Sequence, residues 1–191
     1  MKPEDAATAP KPRDWTWPTV AAVFAAFWIV YLLVSPPAGF NDLDDAGPGT
    51  PVDYNWTLQD LDGAPVKFSD FQGKALFVNV WATWCGPCVA EMPSIARLAS
   101  NPDLKGKVAF VCISTDDSVN AVRSFLRGKD WPMTILRARE LPPVFLTEAI
   151  PATFLVGGDG RLAYARLGSA DWDSPRIVKK LKDLAAAAPA G

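Results

Sequence analysis

The run Ala75-Leu76-Phe77-Val78-Asn79-Val80-Trp81 is apolar at every position but one, and it ends at a short turn that opens into Cys85-Gly86-Pro87-Cys88. A strand apolar on both faces belongs in the middle of a sheet, with packing above and below it. Past the turn, Ile95 and Leu98 recur at helical spacing within 89–99. A helix therefore follows the strand, and the two cysteines bracket its N-terminus. Pro93 inside that helix predicts a kink. Strand, turn and helix in this order point to an α/β architecture.

A helix start is also a chemical location. Its unpaired amides and its dipole favour negative charge, so a thiol placed there ionises more readily than a free cysteine. The thiolate is the nucleophile of disulfide exchange, and a second cysteine three residues on can attack the mixed disulfide that forms. The rest of the chain limits other uses of the pair. A closed structural zinc site takes four ligands. The chain holds three cysteines in all and no histidine. A c-type haem attachment needs histidine directly after the second cysteine, and that residue is Val89. The absence of histidine also excludes Ser-His and Cys-His nucleophilic machinery and most catalytic zinc geometries. A static structural disulfide stays open, although a staple does not need a strand-turn-helix setting. Cys112 lies inside an apolar run, where a free cysteine acts as a small buried filler.

The octet Trp81-Ala82-Thr83-Trp84-Cys85-Gly86-Pro87-Cys88 resembles the active site of thioredoxins. Its continuation through Glu91-Met92-Pro93 resembles the membrane-anchored TlpA/ResA-like branch, which includes reductases of cytochrome c maturation. The resemblance covers roughly residues 50–186. It implies a thioredoxin fold with an N-terminal β-hairpin and a central insertion, preceded by one transmembrane helix. It implies a redox-active disulfide between Cys85, the attacking thiol, and Cys88, the resolving thiol, with no metal and no other cofactor. Reducing thioredoxins, at about −270 mV, carry the same Gly-Pro pair between their cysteines, which implies a reductant.

The resemblance also implies the surroundings of the pair. Ile150-Pro151-Ala152-Thr153 is similar to the family loop whose proline is cis and lies against the cysteines, although only ~5–6% of X-Pro bonds in folded chains are cis. Such a peptide offers backbone groups to an extended client and keeps metal ions off the thiols. An ordinary strand-start proline is the other reading of Pro151. Trp84, Gly86, Pro87 and Ile150 would form the platform that receives a client. The aspartate of cytoplasmic thioredoxins is replaced here by Asn79, which cannot titrate. Glu91 matches the glutamate of the ResA-like branch and would take the proton of Cys88; a solvated helix-surface charge is its alternative. The separation of Cys85 from Pro151 exceeds that of a minimal thioredoxin, and the insertion is expected at Asp103–Lys129.

A different signal occupies the N-terminus. No charged residue occurs from Trp15 to Asn41, and Pro18–Val34 is apolar apart from Thr19. About 20 apolar residues cross about 30 Å of hydrocarbon, so 15–34 reads as a single-pass anchor. Trp15, Trp17, Trp28 and Tyr31 suit its interfaces. Lys2, Lys11 and Arg13 precede it, and no basic residue lies between Ser35 and Val66. The positive-inside rule then leaves 1–14 as a cytoplasmic tail and places the remainder across a bacterial inner membrane, in the periplasm. A cleaved signal peptide is the rival, but the exit Val34-Ser35-Pro36-Pro37-Ala38 lacks a good small-x-small site. Residues 35–51, rich in Pro, Gly and Asp, read as a linker, and 52–188 as the folded domain.

Within that domain, Tyr54–Leu58 and Pro65–Phe68 flank the turn signal Asp62-Gly63. Phe68–Lys74 reads as a connecting turn and Lys107–Ser114 as a second core strand. Asp116-Asp117-Ser118 would cap a helix over Val119–Arg127, and a short strand is expected near Thr134–Leu136. Thr153–Gly157 and Arg161–Leu167 form a hairpin. The last helix has Ser174 as N-cap, Pro175 at its first position and a buried stripe of Ile177, Val178, Leu181 and Leu184. With 191 residues, 49% of them apolar, the chain can build one conventional core. A net charge of −2 and the lack of a basic, aromatic-interleaved run give no reason to expect nucleic-acid binding.

The functional expectation is a membrane-tethered thiol-disulfide oxidoreductase that reduces disulfide-containing extracytoplasmic clients, apocytochrome c or copper-site proteins. A membrane electron donor would re-reduce it. A non-catalytic thiol- or copper(I)-binding chaperone is the alternative, since two cysteines alone bind copper(I).

Overall fold

A computed structural model describes residues 16–34 and 49–187, which fall in two units, Met1–Asp42 and Leu43–Gly191. The tail expected at 1–14 and the linker up to residue 48 lie outside the described residues. In the first unit, α1 (Thr16–Val34) carries no charged residue. Among the described residues no helix is long and apolar enough to cross a membrane.

The second unit is built on a mixed sheet. Its strands are β1 (Thr50–Pro51), β2 (Thr57–Gln59), β3 (Pro65–Lys67), β4 (Ala75–Trp81), β5 (Val108–Ser114), β6 (Thr134–Arg137), β7 (Ala152–Val156) and β8 (Arg161–Leu167). Three helices accompany them, α2 (Gly86–Ala99), α3 (Val119–Leu126) and α4 (Pro175–Ala185). The strand order is β1-β8-β7-β4-β5-β6-β2-β3. The position of β4 follows from its composition: all seven residues are buried, and it runs parallel to β5 and antiparallel to β7.

Alternation along β4 divides the core. Ala75, Phe77 and Trp81 point into a cluster with Met92, Ile95 and Leu98 of α2, Ile177 and Leu181 of α4, and Trp172. Leu76, Val78 and Val80 point the other way, against Leu58, Phe68, Val111, Phe145 and Phe154. Among the described residues none of α2, α3 or α4 contributes to that second face, where two short 3-10 turns, Phe68–Phe71 and Pro143–Phe145, supply Phe68 and Phe145. Val52, Tyr54 and Trp56 pack there instead, with Tyr54 stacked on Phe68 at 5.3 Å and Phe145 edge-on to Phe68 at 5.6 Å between ring centroids. Asn79, Cys112 and Thr153 meet side by side on the α2 face, since Asn79 is the register partner of Cys112 on β5 and of Thr153 on β7.

Two expectations are corrected. The linker does not run to residue 51, because Thr50 and Pro51 pair with Leu162 and Arg161. The 103–129 stretch holds a strand and a helix, β5 and α3, and β5 is an interior strand paired along its length with β4 and also with β6. Asp116 does not cap α3, whose N-cap is Ser118 without a side-chain bond; the carboxylate is engaged elsewhere. The β2–β3 hairpin forms with Leu58 opposite Val66. Ser174 caps α4 by accepting from the Ile177 amide. α2 runs through Pro93 to Ala99, and the proline sits on its exposed side.

Phe77 is fully buried, 5.3 Å from the Phe110 ring and 5.1 Å, edge to face, from Trp172. Phe77→Ala should lower unfolding stability by about 3–5 kcal/mol, measured as a shift in the urea midpoint at unchanged slope.

Candidate active site

The turn between β4 and α2 is held by a carboxylate from the next strand connection. Asp116 is 5% exposed. It accepts from the Thr83 amide at 2.9 Å, the Thr83 hydroxyl at 2.6 Å and the Ser114 hydroxyl at 2.8 Å. The Arg137 guanidinium in turn donates to the Asp116 and Asp117 carbonyls, each at 2.9 Å. β4, β5 and β6 thus meet at the loop that delivers Cys85. The Cys85 amide closes this turn on the Ala82 carbonyl at 3.2 Å.

Cys85 is the N-cap of α2, and its sulfur accepts from the Cys88 amide at 3.2 Å. The two cysteines are joined by a disulfide. Cys85 keeps 6% exposure and Cys88 none, so an external sulfur reaches the bond only at Cys85. On release from the disulfide, a Cys85 thiolate would face the Cys88 amide and the helix N-terminus, both of which favour the anion.

Trp84 is 71% exposed, Gly86 and Pro87 are exposed and Ile150 is half-buried. The Ile150–Pro151 peptide is cis, and the Ile150 carbonyl oxygen lies 3.7 Å from the Cys85 sulfur. Pro151 is buried, and its carbonyl accepts from the Gly168 amide at 2.8 Å. Leu167, opposite Ala152 on β8, is 61% exposed, and Leu146, in the segment leading to Ile150, is 70% exposed. Neither leucine stood out in the sequence, because nothing local marks an apolar residue as outward-facing.

Glu91 is not a solvated surface charge. It is 3% exposed, one helical turn from Cys88. Its Oε1 accepts from Asn79 Nδ2 at 2.8 Å, and its Oε2 accepts from the Ala170 amide and the Trp172 indole, each at 3.0 Å. Burial pushes the carboxyl above the usual carboxylate range, although the bonds from Trp172, Ala170 and Asn79 oppose the shift. Trp172 and Ala170 come from the loop before α4, too far along the chain for any spacing rule to link them to Glu91. Cys112 is fully buried and unpaired. Burial first, and then the Glu91 charge, push its thiol far up, so it stays a neutral filler. Among the described residues no cluster of three or more His, Cys, Asp or Glu side chains is arranged to hold a metal ion.

Comparison with known proteins agrees with this geometry. The model of a family described as Redoxin matches residues 46–183. The thiol-disulfide oxidoreductase ResA of Bacillus thuringiensis subsp. konkukian is 33% identical over 110 residues, 56% of this chain and 63% of its own length. The chain thus spans less than two thirds of that relative. ResA of Oceanobacillus iheyensis is 28% identical over 160 residues, 82% of each chain. A thiol:disulfide interchange protein of the thioredoxin family from Chlorobium tepidum superposes with a TM-score of 0.58 at 24% identity, covering 70% of this chain and 97% of that one. The fold is thioredoxin-like.

Burial of Glu91 gives stability a pH dependence with a definite sign. Its folded value lies above its unfolded one, so between the two the native state binds more protons than the unfolded state. Stability therefore falls as pH rises through that window. Urea midpoints of the wild type should decline there more steeply than those of Glu91→Gln, and equal slopes would contradict the burial argument.

Proposed function

The chain belongs to the redoxin family, and from that premise we propose that it is a thiol-disulfide oxidoreductase that reduces cysteine pairs in other proteins outside the cytoplasm. The observation that carries this reading is the inequality of the two sulfurs. Cys85 sits at a helix start with a narrow path to solvent, while Cys88 is sealed behind it.

In the reduced protein the Cys85 thiolate attacks a client disulfide. A bond forms between Cys85 and one client sulfur as the client S–S bond breaks, and the first client thiolate leaves. Trp84, Gly86, Pro87, Ile150 and Pro151 form the surface against which the client segment lies. Cys88 then gives its proton to Glu91 and attacks the Cys85 sulfur. The Cys85–Cys88 disulfide forms and the second client thiolate departs, so that two electrons have passed to the client. The return to the dithiol draws two electrons from a membrane donor. Clients whose cysteines must be free for haem or copper attachment, apocytochrome c and copper-site proteins, fit a reductant of this kind.

We also propose that 15–34 is a single-pass inner-membrane anchor, with 1–14 in the cytoplasm and a linker leading to the catalytic domain in the periplasm. The support is α1 itself, apolar around its circumference and uncharged, together with the basic residues that precede it. A helix apolar all round needs an apolar surrounding on every side.

Reduction of a small protein disulfide with turnover tests the enzyme reading. Cys85→Ser should abolish it, Glu91→Gln should slow it by about 10²-fold, and Cys88→Ser should accumulate client mixed disulfides that a thiol reductant releases. Stoichiometric copper(I) retention without turnover would point to a chaperone instead. For the anchor, the full chain should stay with the membrane fraction through an alkaline wash; recovery in the soluble periplasmic extract would overturn it.

A further inference from the structure

The side-chain carbonyl oxygen of Asn79, on the α2 face of the sheet, is buried without a partner. Asn79 is fully buried on β4, and its Nδ2 donates twice, to Glu91 Oε1 at 2.8 Å and to Thr153 Oγ1 at 2.9 Å. A buried amide that leaves its oxygen idle calls for an explanation.

The two oxygens of Glu91 are not equivalent. Oε2 receives a backbone amide from Ala170 and an indole N–H from Trp172, and neither donor can become an acceptor. A proton reaching Glu91 therefore settles on Oε1. With the amide as it stands, that O–H would confront an N–H of Asn79, donor against donor. Half a turn about the Asn79 Cβ–Cγ bond exchanges Oδ1 and Nδ2 and removes the conflict. Oδ1 then accepts from the Glu91 O–H and from the Thr153 hydroxyl, which can donate as well as accept. In the first orientation Nδ2 makes two bonds and Oδ1 is idle; in the second Oδ1 makes two and Nδ2 is idle.

We propose that Asn79 is a positioning residue whose amide turns with the proton on Glu91, so that the carboxyl finds a matched partner in both charge states. The inference rests on the reading of Glu91 as the group that takes the Cys88 proton. In that step the S–H bond of Cys88 breaks as the O–H bond at Oε1 forms, and no electrons change hands. The other groups whose charge acts on Glu91 are Arg166 on β8 and the Cys112 thiol on β5. The buried Cys112 thiol, its pKa pushed up by burial, stays neutral. The proton therefore moves between Cys88, one turn earlier on α2, and Glu91. An aspartate at 79 could not follow it, because as an anion it has no donor to turn towards an ionised Glu91.

The test uses the full-length, isotope-labelled protein, oxidised at Cys85–Cys88 so that neither cysteine of the pair titrates. The Asn79 carboxamide nitrogen and protons and the Glu91 carboxyl carbon are followed by NMR from about pH 5 to about pH 9, the range reached by buried carboxyls. The expected result is a single midpoint shared by both residues, with the Asn79 amide protons losing their hydrogen-bonded shifts as Glu91 protonates. In Glu91→Gln, where an amide N–H stands in for the protonated oxygen, Asn79 should hold its acid-limit shift at every pH. An Asn79 signal that stays flat while Glu91 titrates overturns the proposal. So does one that still titrates in Glu91→Gln, or a Glu91 carboxyl that never protonates in that range. These outcomes are separable from failure of the oxidoreductase reading, which is judged by turnover and its loss in Cys85→Ser.

Discussion

The grip of Asp116 on Thr83 fixes where β4 gives way to α2, and the chemistry of the cysteine pair depends on that point. The carboxylate holds both the amide and the hydroxyl of Thr83, two residues before the first sulfur. A strand buried on both faces leaves this turn little freedom at its near end. Arg137 steadies the Asp116 carbonyl from a third strand. The helix dipole and the Cys88 amide act on the sulfur of Cys85 only because the loop ends where it does.

Behind the pair, the environment of Glu91 is polar but dry. Asn79, Ala170 and Trp172 reach the carboxyl from a strand and from a distant loop, and water has little access. Such a carboxyl is suited to taking a proton because burial disfavours its charged form. The cost is borne by the fold, which gives up stability whenever Glu91 ionises.

Much of this was legible in the sequence wherever a local rule applied. The β4 boundaries followed from a run apolar at every position but Asn79, and the α4 cap followed from Ser174 and Pro175. The motif and its resemblance led to Cys85, Cys88, Glu91 and Pro151 together. What escaped was either long-range or competed with a plausible local use. Asp116 sits where a helix cap is expected, and only the fold shows that Thr83 outbids the α3 amides for it. Trp172 reads as an isolated aromatic in a polar loop until α4 brings it against α2. The β1 pairing was hidden because Thr50 and Pro51 bind a strand more than a hundred residues away, and two residues give no periodicity.

The segment 49–56 crosses from one sheet edge to the other. It is tied at the first edge by Gly49 and Val52 amides bound to the Leu162 and Gly160 carbonyls, and at the second by the Phe68 amide on the Trp56 carbonyl. Val52, Tyr54 and Trp56 face inward from it onto the half of the core that α2, α3 and α4 do not reach. Local opening there wets Leu76, Val78 and Val80 on the far side of the strand that carries Asn79, while α2 and the disulfide keep their own packing. Fraying at the point of entry is therefore felt first in the hinterland of the site rather than at its mouth.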